Sequence, residues 1–322
     1  MMKRSGLTEA VEMDFRERLP GFHKSRGQGL VTLASVMLET RSANLMELAA
    51  ALPRDIGAAD HRYQYIERQL KNPETDADAV IRPYALQVIQ RLARRGQTVI
   101  LQMDQSHINA VNEVLMVSVR LRKRAVPVAW RVRSTQGNIG FGVQKELLEA
   151  VRAWLPETVP VLLAADRFYG TAMLVGWCQK AGWSYRIRLK GNLTLAHQGG
   201  ELTSAEVATR LAPGITGAEL YGSGVLTNIG VLHDKGHKEA WIIAMDARPG
   251  RHAVLDYGLR WGIENMFLDF KSRGFGLMQS QIKRPERLER LILIMAIALY
   301  WAISCGMFAE QQAVSDGLKG GL

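Results

Sequence analysis

A chain of 322 residues with 47% hydrophobic content is globular, large enough to bury a sizeable core and to hold two or more domains. Its 41 Lys and Arg outnumber its 31 Asp and Glu, leaving a net charge of +10, which favours a polyanionic partner, nucleic acid before an anionic membrane. The two cysteines, Cys178 and Cys305, are far apart without metal-ligand spacing; this excludes a cysteine metal centre and fits buried, reduced thiols of a cytosolic protein.

Met1 to Phe22 is charged and lacks an apolar h-region, so no signal peptide is expected. Residues 1 to about 96 read as all-helical. Gly29 to Glu39 is an apolar helix, and Asn44-Leu-Met-Glu47 is a capping box that opens Leu45 to Leu52. Pro53 to Gly57 is a break. Ala58 to Leu70 is a third helix, dense in polar and aromatic residues that include Arg62, Tyr63, Gln64 and Arg68, and Asn72-Pro73 ends it. Ala77 to Arg95 is a fourth helix, stopped by Gly96. The short helix pair has the form of a helix-turn-helix, or of plain scaffold.

The pattern changes at Gln97. Thr98 to Asp104 is a short apolar strand ending in an aspartate. Glu113 to Arg122 and Val126 to Arg133 form a hairpin around Arg122-Lys-Arg-Ala, and its cations suit either a solvated sheet edge or a DNA-facing ridge. Val143 to Leu155 is an amphipathic helix. Val159 to Asp166 is a second apolar strand ending in an aspartate, Thr171 to Ala181 a helix, and Ser184 to Lys190 a strand. Strand, hairpin, helix, strand, helix, strand describes a mixed α/β sheet. An aspartate at a strand end serves as a turn or helix cap, or faces the ligand crevice that open α/β sheets form there.

Residues 192 to 250 differ. They are rich in Gly and Thr, with short strands at Ala218 to Tyr221, Val225 to Leu232 and Ala240 to Met245, and a hairpin turn at Asp234-Lys-Gly-His237. Trp241, opening the last strand, reads as a core residue of a small β domain. Tyr257 to Lys271 is read as one helix. With Tyr257 at 0°, Arg260, Glu264 and Lys271 fall at roughly 300°, 340° and 320°, beside an apolar stripe of Leu259, Ile263, Met266, Phe267 and Phe270. Such a face is either solvated, with Arg260 and Glu264 an (i, i+4) pair, or built for a metal ion next to a phosphate. Leu291 to Phe308 carries no charge; a helix buried against a sheet is expected there rather than a membrane anchor. Gln311 to Leu322 reads as a frayed tail.

Tyr257-x2-Arg260-x3-Glu264-x6-Lys271 resembles the Tyr-Arg-Glu-Lys signature of the insertion-sequence-four family of DDE transposases, the Tn-five-like group. Gln105-Ser106-His107 and Arg167-Phe-Tyr-Gly170 resemble the flanks of that family's two aspartates. The resemblance implies an α/β fold: a ribonuclease H-like catalytic core over 97–191 and 251–322, an N-terminal helical DNA-binding domain over 1–96, and a β-rich insertion over 192–250. It implies Asp104, Asp166 and Glu264 as catalytic metal ligands, and Tyr257, Arg260 and Lys271 as holders of a transposon-end phosphate. Arg188 and Lys190 match positions that meet DNA; Arg62, Tyr63, Gln64 and Arg68 would read the end sequence; Trp241 would stack on a flipped base. His107 is set aside as a metal ligand because no second His or Cys has matching spacing.

Three neighbouring carboxylates repel one another, and magnesium removes the conflict, with manganese a substitute. Two Mg2+ ions about 4 Å apart clamp the attacking and leaving oxygens of an in-line phosphoryl displacement. In the implied arrangement Asp104 is shared and Asp166 and Glu264 hold one ion each. The implied partners are double-stranded DNA, both terminal inverted repeats and target, and a second copy of the chain; no membrane is involved, and the setting is the bacterial cytoplasm, at the nucleoid. The alternatives are a metal-dependent nuclease of the same fold and a DNA-binding regulator of transposition that does not cut.

Overall fold

The computed structural model of the chain describes residues 6–233 and 239–315. Five helices come first: α1 (Gly6–Arg18), α2 (Lys24–Thr40), α3 (Leu45–Ala51), α4 (Ala59–Lys71) and α5 (Ala77–Ala93). Their starts are set by side chains. Asn44 Oδ1 accepts from the amides of Met46 and Glu47, and the Asp76 carboxylate accepts from those of Asp78 and Ala79, so orphan donors are satisfied at both helix starts.

Then follow β1 (Val99–Asn109), β2 (Asn112–Leu121), β3 (Arg124–Ser134), α6 (Phe141–Trp154), β4 (Val161–Ala165), α7 (Ala172–Ala181) and β5 (Ser184–Arg188). The 192–250 stretch supplies β6 (Thr194–His197), β7 (Gly200–Thr203), α8 (Ser204–Arg210), β8 (Gly214–Leu220), β9 (Leu226–Leu232) and β10 (Trp241–Met245). The expected Asp234–His237 turn lies outside the described residues. The chain closes with α9 (Arg251–Leu255), a 3-10 segment Asp256–Trp261, α10 (Gly262–Leu268), a π-helical turn Asp269–Arg273 and α11 (Pro285–Ser315).

All ten strands form one sheet in the order β3-β2-β1-β4-β5-β10-β9-β8-β6-β7. β1, β4 and β5 run parallel, and their neighbours on both sides are antiparallel. β10 pairs with β5, so the strands of the 192–250 stretch extend the same sheet. The core is equally continuous. Val11, Leu33, Ile81, Leu101, Leu163 and Ile294 belong to one buried cluster, which joins the N-terminal helices to the sheet through α11.

α11 is long and apolar enough, by length and composition, to cross a membrane, yet Leu291 to Ala298 is buried and the helix packs on β3, α2 and α5. Trp130 Nε1 donates to the Glu289 carbonyl and Tyr300 Oη to the Pro127 carbonyl, tying helix to strand. The helix also runs on through Gln311 to Ser315, where fraying was expected. Cys178 is buried, whereas Cys305 is exposed.

Candidate active site

Asp104 does not end its strand. β1 continues to Asn109, paired with β2, but its pairing with β4 stops at Met103–Ala165. Asp104 and Asp166 are therefore the next residues on two adjacent parallel strands, where one turns away and the other goes on. Adjacent strands lie about 4.8 Å apart, so the two aspartates share one end of the sheet. After Asp166 the chain turns through Arg167–Tyr169, and Gly170 lets it press on β5: a Cβ there would stand 2.6 Å from the Arg188 carbonyl oxygen.

The segment from Tyr257 to Lys271 is not one regular helix. It winds tightly through Trp261, relaxes to α from Gly262, and widens to π from Asp269. The cause is tertiary. The Leu259 carbonyl, which an α-helix would give to Ile263, accepts from Gln102 Nε2 at 2.6 Å and from Arg120 Nη1 at 2.9 Å. Gln102 is itself held by the Ser118 hydroxyl. Gly262 lets the segment sit close to the sheet, since a Cβ would be 3.0 Å from Gln102 Nε2. Gln102, a fully buried polar residue within the apolar run Val99 to Met103, was the legible sign of this anchor.

The irregular segment nevertheless brings the signature residues to the aspartates. Arg260, 4% exposed, donates from Nη1 to Asp104 Oδ2 at 2.8 Å, from Nη2 to Glu264 Oε1, and from Nε to the Tyr257 hydroxyl at 3.2 Å. Tyr257 Oη donates to Asp166 Oδ1 at 3.1 Å. Thus Asp104, Asp166 and Glu264 are connected through one guanidinium and one phenol. Lys271 stands apart at the rim, donating to Ser106 Oγ at 3.0 Å.

Burial pushes the Asp104 carboxyl up to about 6; Arg260 opposes that shift, while Asp166 and Glu264 reinforce it. Burial likewise lifts the Tyr257 phenol to about 12, eased by Arg260. Burial works against the charge on Arg260, but Tyr257, Asp104 and Glu264 outweigh it and raise its pKa. The Tyr169 hydroxyl is buried in the field of Asp104 and Asp166 and has no hydrogen-bond partner among the described residues.

The donor set is carboxylate oxygen throughout, the chemistry of a hard divalent cation, and the unpartnered Tyr169 donor suits a hydrated one. In the arrangement seen, no three His, Cys, Asp or Glu among the described residues are gathered closely enough to hold an ion. Arg260 supplies the counter-charge instead. The residues thus fit a divalent ion in kind, with the guanidinium standing between two of them.

Residues 141–301 match the family model described as Transposase DDE domain. The chain belongs to the transposase DDE family. The DDE match takes in Asp166 and Glu264; Asp104 lies ahead of it, brought in by the β1–β4 pairing. No curated protein matches the chain.

The other expected contacts of the DDE protein are placed unevenly. Arg188, half-buried, and Lys190, exposed, line a cleft with Arg167 and Phe168; Lys190 Nζ lies 5.4 Å from the Phe168 ring centroid, and Arg188 donates to Glu239. Trp241 is 2% exposed, edge-on to Tyr257 and Trp261 and clustered with Leu232 and Met245. It is a core residue that backs the signature segment, and its ring is not presented for base stacking. Arg62 donates to the Ala49 and Gly57 carbonyls, locking α3 to α4. Its guanidinium is occupied within the fold, whereas Gln64 and Arg68 are exposed and Tyr63 is half-buried in a cleft with Lys283 and Arg284. His107 bonds Glu113 across the β1–β2 pair at 2.8 Å, the local role expected of it.

Proposed function

We propose that this DDE protein is a DNA transposase of the insertion-sequence-four type, cutting inverted-repeat ends and joining them to target DNA by divalent-metal phosphoryl transfer. The observation that carries the reading is the bonded set Asp104–Arg260–Glu264 with Tyr257–Asp166, which draws three of the four signature residues onto two aspartates at one sheet end. The strand order β3-β2-β1-β4-β5, with only β1, β4 and β5 parallel, supports a ribonuclease H-like core.

In this reading Asp104, Asp166 and Glu264 hold the divalent ions. Bound Mg2+ supplies activation of water or a 3′-hydroxyl and charge stabilisation of the departing 3′-oxygen. Tyr257 orients Asp166 by its hydrogen bond, and the 3-10 turn fixes Tyr257 through the Leu259 carbonyl. Lys271, bonded to Ser106, and Arg188 and Lys190, in the cleft with Arg167 and Phe168, take backbone phosphate as point or forked charge. The exposed residues of α4 contribute to end recognition, and a dimer brings two ends together.

The test is incubation of the purified full chain with labelled DNA carrying the inverted repeats that flank its gene, with Mg2+ or EDTA. Joined products are expected. Cutting without joining would assign a nuclease, and binding without cutting a regulator.

A further inference from the structure

Arg260 holds a position that a metal ion would contest. Its two terminal nitrogens bond one carboxylate each, Asp104 on β1 and Glu264 on α10, and its Nε bonds the phenol that holds Asp166. All three carboxylates are thereby committed to one buried cation and its phenol partner. The guanidinium side chain is 5% exposed, while that of Glu264 is 50% exposed. A divalent ion binding these oxygens would meet the guanidinium at close range and be repelled by it. A lysine in such a place could shed its proton; an arginine stays charged, so it can yield only by moving. Lys271 cannot substitute, because its Nζ is engaged with Ser106 at the rim.

We propose that Arg260 is an internal counterion that competes with the divalent ion, so that metal binds fully only when the guanidinium is drawn off the carboxylates by a phosphate. This inference rests on the triad being the metal site. It makes metal and DNA binding mutually reinforcing, because a coupling between two ligands is reciprocal. It also separates two roles that are opposite in sign. If Arg260 merely held Asp104 and Glu264 in place for the ion, removing it would weaken metal binding. If it competes, removing it tightens metal binding.

The experiment measures Mn2+ binding to the full chain without DNA, by calorimetry and by electron paramagnetic resonance of the free ion. Arg260→Gln is expected to bind Mn2+ at least about ten-fold more tightly than the unaltered protein. Arg260→Lys, whose single ammonium cannot bridge both carboxylates, should tighten it less; this variant carries the test if the glutamine protein does not fold, as judged by melting in EDTA. Adding Asp104→Asn to either variant should remove the gain, placing the ion at this site. Equal or weaker Mn2+ binding by the folded Arg260 variants would overturn the counterion role while leaving the metal site standing. Binding insensitive to Asp104→Asn in every background would overturn the metal site as well, and the counterion role with it.

Discussion

Two arginines are buried among the described residues, each between two carboxylates, and they differ in a way that separates scaffold from site. Arg186, 6% exposed on β5, donates to Asp246 and Asp256 and also to the carbonyls of Tyr185 and Ala253. Asp246 is at ease there: burial raises it, but the Ser184 hydroxyl, the Tyr185 amide and Arg186 outweigh that and hold it below its usual value. Arg260 has no backbone partner among its bonds, and one guanidinium faces three carboxylates; Asp104 stays lifted to about 6, by burial first and then by Asp166 and Glu264. Arg186 pins the chain entering α9 to the sheet. Arg260 holds together groups that would otherwise repel. A buried ion pair is weak evidence of stability in itself, and surplus negative charge at a strand end is the stronger pointer to chemistry.

The largest effect should come from the surplus carboxylates. Replacing Asp104, Asp166 or Glu264 by Ala should lower strand cleavage by roughly 10³-fold or more, with end binding retained in gel shifts. Normal cleavage by Asp166→Ala would remove the distinction between the two arginine sites. Next, Arg186→Ala should cost about 1–3 kcal/mol in urea unfolding, because it removes donors from two carbonyls and from Asp246, which keeps Ser184 and the Tyr185 amide. Arg260→Gln in EDTA at pH 6 should cost less than half of that, since Asp104 takes up a proton there and Glu264 reaches water. Equal losses would erase the contrast.

The pH dependence should differ in sign. Asp104 binds its proton more tightly folded than unfolded, so its contribution to metal-free stability is fully present at acid pH and is lost, by roughly 3 kcal/mol, as pH rises from about 4 through about 6. Asp104→Asn should lack that fall. Asp246, held low, behaves oppositely: its contribution is present at neutral pH and is lost on acidification, and Asp246→Asn should be less stable than the unaltered protein at pH 7. Chemical denaturation from about pH 2 to about pH 8 reads both. The smallest effect belongs to the rim. Lys271→Met should leave folding unchanged and reduce the salt slope of DNA binding by about 0.9. An unaltered slope would leave Lys271 as a structural partner of Ser106.

Local pattern in the sequence carried β4, β5, α6, α7 and the β2–β3 hairpin nearly to their ends, since apolar alternation and cap residues set them. Asn44 and Thr171 cap where such residues are expected to, each accepting backbone amides. What stayed hidden was set by partners far along the chain. β1 runs past Asp104 because β2 pairs with it there, and the Tyr257–Lys271 helix is irregular because Gln102 and Arg120 take the Leu259 carbonyl. β6, β7 and α8 are too short and too Gly-, Thr- and Ser-rich to show a period. Trp241 has the same ambiguity in one residue: a tryptophan opening a strand serves a core or a ligand, and only its neighbours Tyr257 and Trp261 reveal which. That Asp104, Asp166 and Glu264 lie near one another was suggested by two apolar runs and one spacing; the bonds that link them, from Arg260 and Tyr257, needed the fold.

The most direct test of the central claim is a change of metal preference in Asp166→Cys, assayed for single-turnover cleavage of a labelled transposon end. A thiolate is a poor ligand for magnesium and a tolerable one for softer ions. If Asp166 holds the divalent ion, the variant should be inactive in Mg2+ and regain measurable cleavage in Mn2+, with its DNA affinity unchanged. Cleavage at the level of the unaltered protein in Mg2+ would contradict the assignment.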